Sequence, residues 1–165
     1  MNIRECKHSD SKAICEIYNY YIEHTVITFE EQPVTELVMA ERINTYRQNH
    51  PWLVLEDKTG VVVGYAYAAK WAERSAFRNT AEITVYLHHE QSGKGYGAAL
   101  YKKILSELSA LGFHMVVAAI ALPNAASVKL QESFGFNKVS HFKEVGYKFN
   151  RWIDVGHWQM NLKTD

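Results

Sequence analysis

The 165-residue chain has no excess of either charge: 18 lysines and arginines stand against 18 aspartates and glutamates, scattered along its length. That balance leaves no basic stripe for a nucleic-acid backbone or an anionic membrane, so neither is expected as a main partner. There are only two cysteines, Cys6 and Cys15, with no C-x-x-C or Cys/His ligand spacing around them. They are read as free thiols. No run approaches the roughly 18 apolar residues of a membrane span. The opening MNIRECKHSDSK carries no apolar core of signal-peptide length, and a cytoplasmic location is expected. The eight histidines show no H-x-H or H-x-x-x-H spacing, so no metal is expected.

At this length one sizeable core can be buried without staples, and a single domain spanning 1–165 is expected. NIREC alternates as a short strand. SDSKAICEIYNYYIEH then sets Ile14, Ile17, Tyr18 and Tyr21 on one helical face behind Ser and Asp residues suited to an N-cap. TELVMAERINTYRQN reads as a second helix, with Thr35 as cap and Met39, Ile43 and Tyr46 on a stripe that stops before Pro51. WLVLE and VVVGYAYAA flank the turn residues DKTG, a hairpin signature, and TAEITVYLHH is long enough to lie beside them as an antiparallel neighbour. On such a strand His88 and His89 would face opposite sides.

Leu100, Ile104, Leu108 and Leu111 make a further helical stripe ending at Gly112, a residue fit for the left-handed position after a helix. MVVAAIAL is a buried strand, and the intervening helix implies a parallel crossover. PNAASVKLQESFGF is a helix with Ala126, Leu130 and Phe134 on one face and Gly135 as its stop. FNKVSHFKEVGYKF and RWIDVGHWQMNL close the chain as strands. The expected class is α/β, a mixed and mostly antiparallel sheet with helices on its faces and one parallel step.

The segment SGKGYGA carries Gly93, Gly95 and Gly97 at every second position between a strand and a helix. Read as G-x-G-x-x-A it fits a dinucleotide fingerprint, but that fingerprint needs an acidic residue at the end of the next strand, and MVVAAIAL has none. A Walker A loop fails outright, because Gly95 follows Lys94. A ligand-free flexible turn needs only one or two glycines. Alternating glycines opening a helix make a backbone nest at the positive end of the helix dipole, a good seat for a pyrophosphate.

Strand, SGKGYGAAL, helix, strand and PNAASVKLQESFGF together resemble the acetyl-CoA-binding core of the GNAT superfamily of N-acetyltransferases. ITFEEQPVT, PWLVLE, VVVGYAYA, TAEITVYL, VVAAIALPNAASVKL and VGYKFNRWIDVGHWQ extend the likeness to the phosphinothricin/methionine sulfoximine acetyltransferase family, from about residue 3 to 162. The resemblance implies a parallel strand pair that splays to admit the pantetheine arm. It implies that backbone groups of Val85, Tyr86 and Leu87 pair with that arm, that Gly93, Lys94, Gly95, Tyr96, Gly97 and Ala98 cradle the pyrophosphate, and that Asn124 and Ser133 touch the cofactor. It further implies Glu82 as general base, an acceptor site lined by Ala72, Glu73, Arg74, Glu82, Ile83 and Thr84, acetyl-CoA as cosubstrate, and a homodimer.

The residues themselves say something of the same chemistry. Glu82 is a lone carboxylate in the apolar run AEITVYL, on the same alternation as Thr84 and Tyr86, where partial desolvation would raise its pKa. Arg74 and Arg78, beside Trp71 and Phe77, suit an amino acid with an anionic or polar tetrahedral side group, since guanidinium binds such groups bidentately. Phe29 reads either as a pocket wall or as core. No G-x-S-x-G motif is present, so direct attack in a ternary complex is expected rather than an acyl-enzyme. Two positions depart from the family's pattern: Gln131 stands where relatives carry a tyrosine or histidine, and Ser92 where the loop usually opens with Gln or Arg. An amide cannot give up a proton at neutral pH. The expected activity is acetylation of the α-amine of L-phosphinothricin, L-methionine sulfoximine, methionine sulfone or a similar amino acid, with herbicide resistance as an expected consequence. The alternatives are a protein N-terminus or polyamine as acceptor, or an idle acetyl-CoA-binding module.

Overall fold

The computed structural model describes residues 1–162. Seven strands form one sheet in the order β1-β2-β3-β4-β5-β7-β6. In chain order the elements are β1 (Asn2–Glu5), α1 (Ser11–His24), α2 (Glu36–Tyr46), β2 (Trp52–Glu56), β3 (Val62–Lys70), β4 (Thr80–Leu87), α3 (Tyr96–Ala110), β5 (Met115–Leu122), α4 (Ala125–Ser133), β6 (Asn137–Lys148) and β7 (Arg151–Asn161). Every strand pairing is antiparallel except β4 with β5. The expected mixed sheet and its parallel crossover are therefore present.

Period-2 alternation gives the sheet two apolar faces, and a separate core covers each. On one face α3 and α4 pack over Leu53, Leu55, Ala66, Ile83, Val116 and Ile120, with Leu100, Ile104 and Leu108 of α3 buried completely. On the other, α1 and α2 bring Ile14, Ile17, Met39 and Ile43 against Trp52, Val54, Tyr65 and Tyr86. Leu111 does not join the α3 stripe. It is the C-cap residue and 59% exposed, because the helix ends at Ala110 and Gly112 takes the left-handed φ of +80° that turns the chain away. Thr35 caps α2 as expected, accepting from the Val38 N–H at 3.2 Å. Cys6 and Cys15 are both free and buried.

The parallel pair is short. Thr80, Ala81 and Glu82 register with Met115, Val116 and Val117, and there the pairing of β4 with β5 ends. Each strand then follows its outer neighbour: β4 stays with β3 through Leu87↔Gly64, and β5 stays with β7 through Leu122↔Asp154. The result is a wedge-shaped gap in the middle of the sheet. β6 and β7 turn on Phe149 and Asn150, whose φ values of +51° and +57° match the primed turn that suits the twist of a tight hairpin.

One ion-pair network ties β1 to the sheet edge and to α1. Arg4 reaches both oxygens of Asp10, at 2.7 and 2.9 Å, and also Glu56 on β2 at 2.7 Å. Burial alone would raise the Asp10 carboxyl, but Arg4 and the Lys7 N–H outweigh it and hold the group below its ordinary value. A carboxyl lowered on folding contributes stability above its unfolded pKa and loses it as pH falls through the folded one. Arg4→Ala leaves Asp10, with its side chain only 7% exposed, without its cation. Urea unfolding at neutral pH should register a loss of about 3 kcal/mol, shrinking in acid as Asp10 is protonated.

Candidate active site

The gap between β4 and β5 opens into a groove of about 430 Å³, bounded by Val85, Tyr86 and Leu87 on one side and by Gly93, Gly95, Gly97, Ala98, Asn124 and Leu130 on the other. Past Glu82 the β5-facing edge of β4 has no strand partner among the described residues, so its main-chain groups, Leu87 O apart, are free to pair with an extended amide chain. Tyr21 of α1 reaches this edge and donates its hydroxyl to Leu87 O at 2.7 Å.

At the groove's outer end the glycine loop runs into α3. Gly93 and Gly95 take φ of +77° and +78°, left-handed values that suit glycine. Gly97 is glycine for a different reason. It lies inside α3, where a Cβ would come within 3.2 Å of the Leu130 side chain on α4. Among the described residues no main-chain hydrogen bond uses the N–H groups of Gly93 through Ala98, while Ala99 N–H donates to Gly95 O at 3.1 Å. Six consecutive amides at the start of a 15-residue helix therefore form a concave donor set, which is the chemistry a pyrophosphate requires. Ser92 lines the same groove, and Lys94 reaches back to Gln91 Oε1 at 2.7 Å. Tyr96 opens α3 and packs against the core. Ser133 does not line this groove: it is exposed at the last turn of α4, and its hydroxyl donates to Leu130 O at 2.6 Å.

Glu82 stands at the closed end of the gap, half-buried, opposite Ala69 on β3 and Val117 on β5. Burial pushes its carboxyl above the usual range, and His157 nearby pulls it part of the way back. His157, on β7 opposite Ala119, is itself held by Ser140 Oγ at 2.8 Å from Nδ1. Nothing in the local pattern around VGHWQ marks His157. It meets Glu82 because β7 lies one strand beyond β5 and period 2 puts both side chains on the same face.

Thr84 and Tyr86 share the Glu82 face, as their alternation requires. Next to Thr84 lies Tyr67, clustered with Trp52 at 4.3 Å and Tyr46 at 5.6 Å. Arg42 of α2 lines the adjoining cleft and forms a two-pronged pair with Glu30 at 2.9 and 2.5 Å. Phe29 is not core: it is 41% exposed, and its ring lies against Gly146, where there is no room for a Cβ.

The β3–β4 connection carries Ala72, half-buried, with Glu73 and Arg74 exposed and Glu73 paired with Lys70 at 3.5 Å. Arg78 is carried elsewhere. The turn at Ser75–Phe77 swings it into a second cleft with His50, Phe77 and Phe113, and its Nη1 donates to Ser75 O at 3.2 Å. His88 and His89 also differ from expectation. The strand ends at Leu87, His88 caps a short turn by accepting from Glu90 N–H, and the two rings stack 4.4 Å apart. These two rings and the Glu90 carboxylate come within 4.8 Å of one another on the surface.

Residues 3–157 match the family model of the acetyltransferase (GNAT) domain. The chain belongs to the GNAT acetyltransferases. Among relatives, it is 39% identical to a phosphinothricin N-acetyltransferase of Streptomyces viridochromogenes, over 99% of this chain and 88% of that one. It is 37% identical to an L-methionine sulfoximine/L-methionine sulfone acetyltransferase of Salmonella typhimurium, over 98% and 95%. Its fold superposes with a TM-score of 0.96 on an acetyltransferase from Salmonella typhimurium solved with its cofactor acetyl-CoA, at 36% identity, covering 100% of this chain and 95% of that one. A phosphinothricin acetyltransferase from Sinorhizobium meliloti, in complex with the same cofactor, gives 0.95 at 35% identity, covering 97% and 87%. As a GNAT enzyme the protein is an N-acetyltransferase, and the splayed strand pair with its glycine nest is the part of the structure that fits this activity.

Proposed function

We propose that the protein transfers the acetyl group of acetyl-CoA to the α-amine of a small amino acid bearing an anionic or polar tetrahedral side group, by direct attack within a ternary complex. One observation carries this reading: β4 and β5 part directly after a half-buried, pKa-raised carboxylate, Glu82, and the groove that opens beyond it is lined by a phosphate-type donor nest. Acetyl-CoA supplies an activated thioester. The free β4 edge at 85–87 and the nest at 93–98 would hold its pantetheine and pyrophosphate, with Asn124 beside them. Ser133 fits this set less well, since its hydroxyl is already used by its own helix.

Glu82 then takes the proton of the incoming ammonium. Its raised pKa brings it nearer the working pH than an ordinary carboxylate, which favours general-base work. An N–H of β4 near Leu87 would polarise the carbonyl. The acceptor would lie against Glu82, Ile83 and Thr84, with Ala72, Glu73 and Arg74 on the adjoining loop. Arg74 is preferred to Arg78, which faces the second cleft. The names of the relatives point to phosphinothricin, methionine sulfoximine and methionine sulfone as acceptors to try first.

We also propose a homodimer in the cytoplasm. Phe142, Val145, Tyr147, Phe149 and Trp152 are each more than half exposed on the β6–β7 hairpin, an apolar surface large for a monomer. Light scattering should give twice the chain mass for the native protein, and Trp152→Glu should shift it toward the monomer.

Thiol release from acetyl-CoA across amino acids, polyamines and peptides tests the activity. Turnover with methionine sulfoximine or phosphinothricin is expected, and its absence, with polyamines or peptides turned over instead, would overturn the acceptor class. Glu82→Gln should lower kcat by about 10²–10⁴-fold. The acid limb of kcat/KM should lie above the ordinary carboxylate range, because the base form appears only as pH rises through a raised pKa. His157→Ala removes the side chain that lowers the Glu82 pKa, so it should move that limb further up.

A further inference from the structure

The α3–α4 side of the gap holds a polar corner where Tyr101, Gln131 and Ser127 have no part in the steps above. Tyr101, Gln131, Asn124 and Ser127 line it there, facing Ile83 to Tyr86 of β4 and Ala119 to Ala121 of β5. Among the described residues no Asp, Glu, Lys, Arg or His lines this part of the gap, and its titratable groups are Tyr86 and Tyr101. Tyr86 packs on the opposite face of the sheet, with ring centroids 5.3 Å from Tyr18 and 5.0 Å from Tyr21. Thr84 faces the Glu82 side, next to Tyr67. Asn124 Oδ1 is engaged in capping α4, accepting from Ser127 N–H at 3.1 Å.

Tyr101 is placed differently. It is 5% exposed, its ring stacks on Phe134 at 5.6 Å, and Phe136 meets it edge-on at 6.2 Å. These contacts fix the phenol with its hydroxyl beside the Gln131 amide. Gln131 is 3% exposed, and its Oε1 has no hydrogen-bond partner among the described residues. A buried amide oxygen of this kind is destabilising in a purely structural position. When the Gln131 NH₂ donates to the Tyr101 oxygen, the phenol's own proton is left to point into the gap.

We propose that the Tyr101 hydroxyl, oriented by Gln131, donates the hydrogen bond that stabilises the leaving sulfur of acetyl-CoA. The assignment rests on the acetyl-transfer reading above. As the N–C bond forms from the amine lone pair and the C–S bond breaks, the C–S electron pair passes to sulfur and the proton lost by the nitrogen passes to Glu82, which has by then released the ammonium proton to water. Tyr101 keeps its proton throughout and only shares it. Burial pushes its pKa up to about 12, so it stays a donor at neutral pH. The thiolate takes its proton from water on release. A tyrosine on α3 thereby supplies the hydrogen-bond donor at the sulfur, and the proton itself is left to water.

Tyr101→Phe keeps the ring and removes the hydroxyl. Calorimetric affinities for coenzyme A and for desulfo-coenzyme A, which lacks the thiol, test the contact without any acceptor. The native protein should prefer coenzyme A, and Tyr101→Phe should lose that preference while binding the desulfo compound unchanged. Where the acceptor is turned over, kcat of Tyr101→Phe should fall about 10- to 100-fold, the effect of losing a hydrogen bond to a charged group, with KM for acetyl-CoA little changed. Gln131→Met, similar in volume, should give a smaller fall of the same kind. A preference that persists in Tyr101→Phe, or that disappears in Ser127→Ala instead, overturns the assignment. Failure of the native protein to acetylate any amine would sink the proposed function, yet the two binding measurements would still decide the role of Tyr101.

Discussion

Everything at the site follows from the parting of β4 and β5 after three paired residues. A parallel ladder broken in the middle of a sheet leaves main-chain donors and acceptors that water or a ligand must satisfy. The break is tolerated because each strand is fully paired on its other side, β4 with β3 and β5 with β7. Two good half-sheets thus stand in for one continuous sheet. The wedge between them is as deep as the sheet is thick, so it reaches both apolar faces at once.

That double access divides the chemistry. The face under α1 and α2 presents Glu82, Thr84 and the Tyr67–Trp52–Tyr46 stack, a place for an amine and a small polar side group. The face under α3 and α4 presents the glycine nest, Tyr101 and Gln131. The charged group at the gap is the Glu82 carboxylate, raised by burial. Proton uptake on one face and sulfur stabilisation on the other need no side chain to do both.

Much of this was legible in the sequence because it rests on local periodicity. The four helices, the hairpin, the crossover and the Glu82–Thr84–Tyr86 alternation follow from side-chain spacing, and the turn at Gly112 from a single residue type. The misses have a common cause. Leu111 fits the stripe but falls beyond the last helical turn, and His88 and His89 fit a strand that had already ended. Arg78 was drawn toward the acceptor by nearness in sequence, and a short turn carried it away. Gly97 keeps its N–H in the nest, and the close approach of α4 is a second reason for glycine that spacing alone does not show.

The sequence by itself determined the kind of fold, the presence of an anion-binding loop ahead of a helix, and the identity of the lone carboxylate in an apolar strand. These depend on neighbours within a few residues, where φ/ψ preferences and periodicity decide the outcome. Only the tertiary structure decided where β4 leaves β5, that Tyr21 reaches Leu87, that His157 acts on Glu82, and that Tyr101 and Gln131 meet in the gap. Each of those pairs is brought together by sheet order and helix packing across 30 or more residues of chain, and no local pattern encodes such a distance.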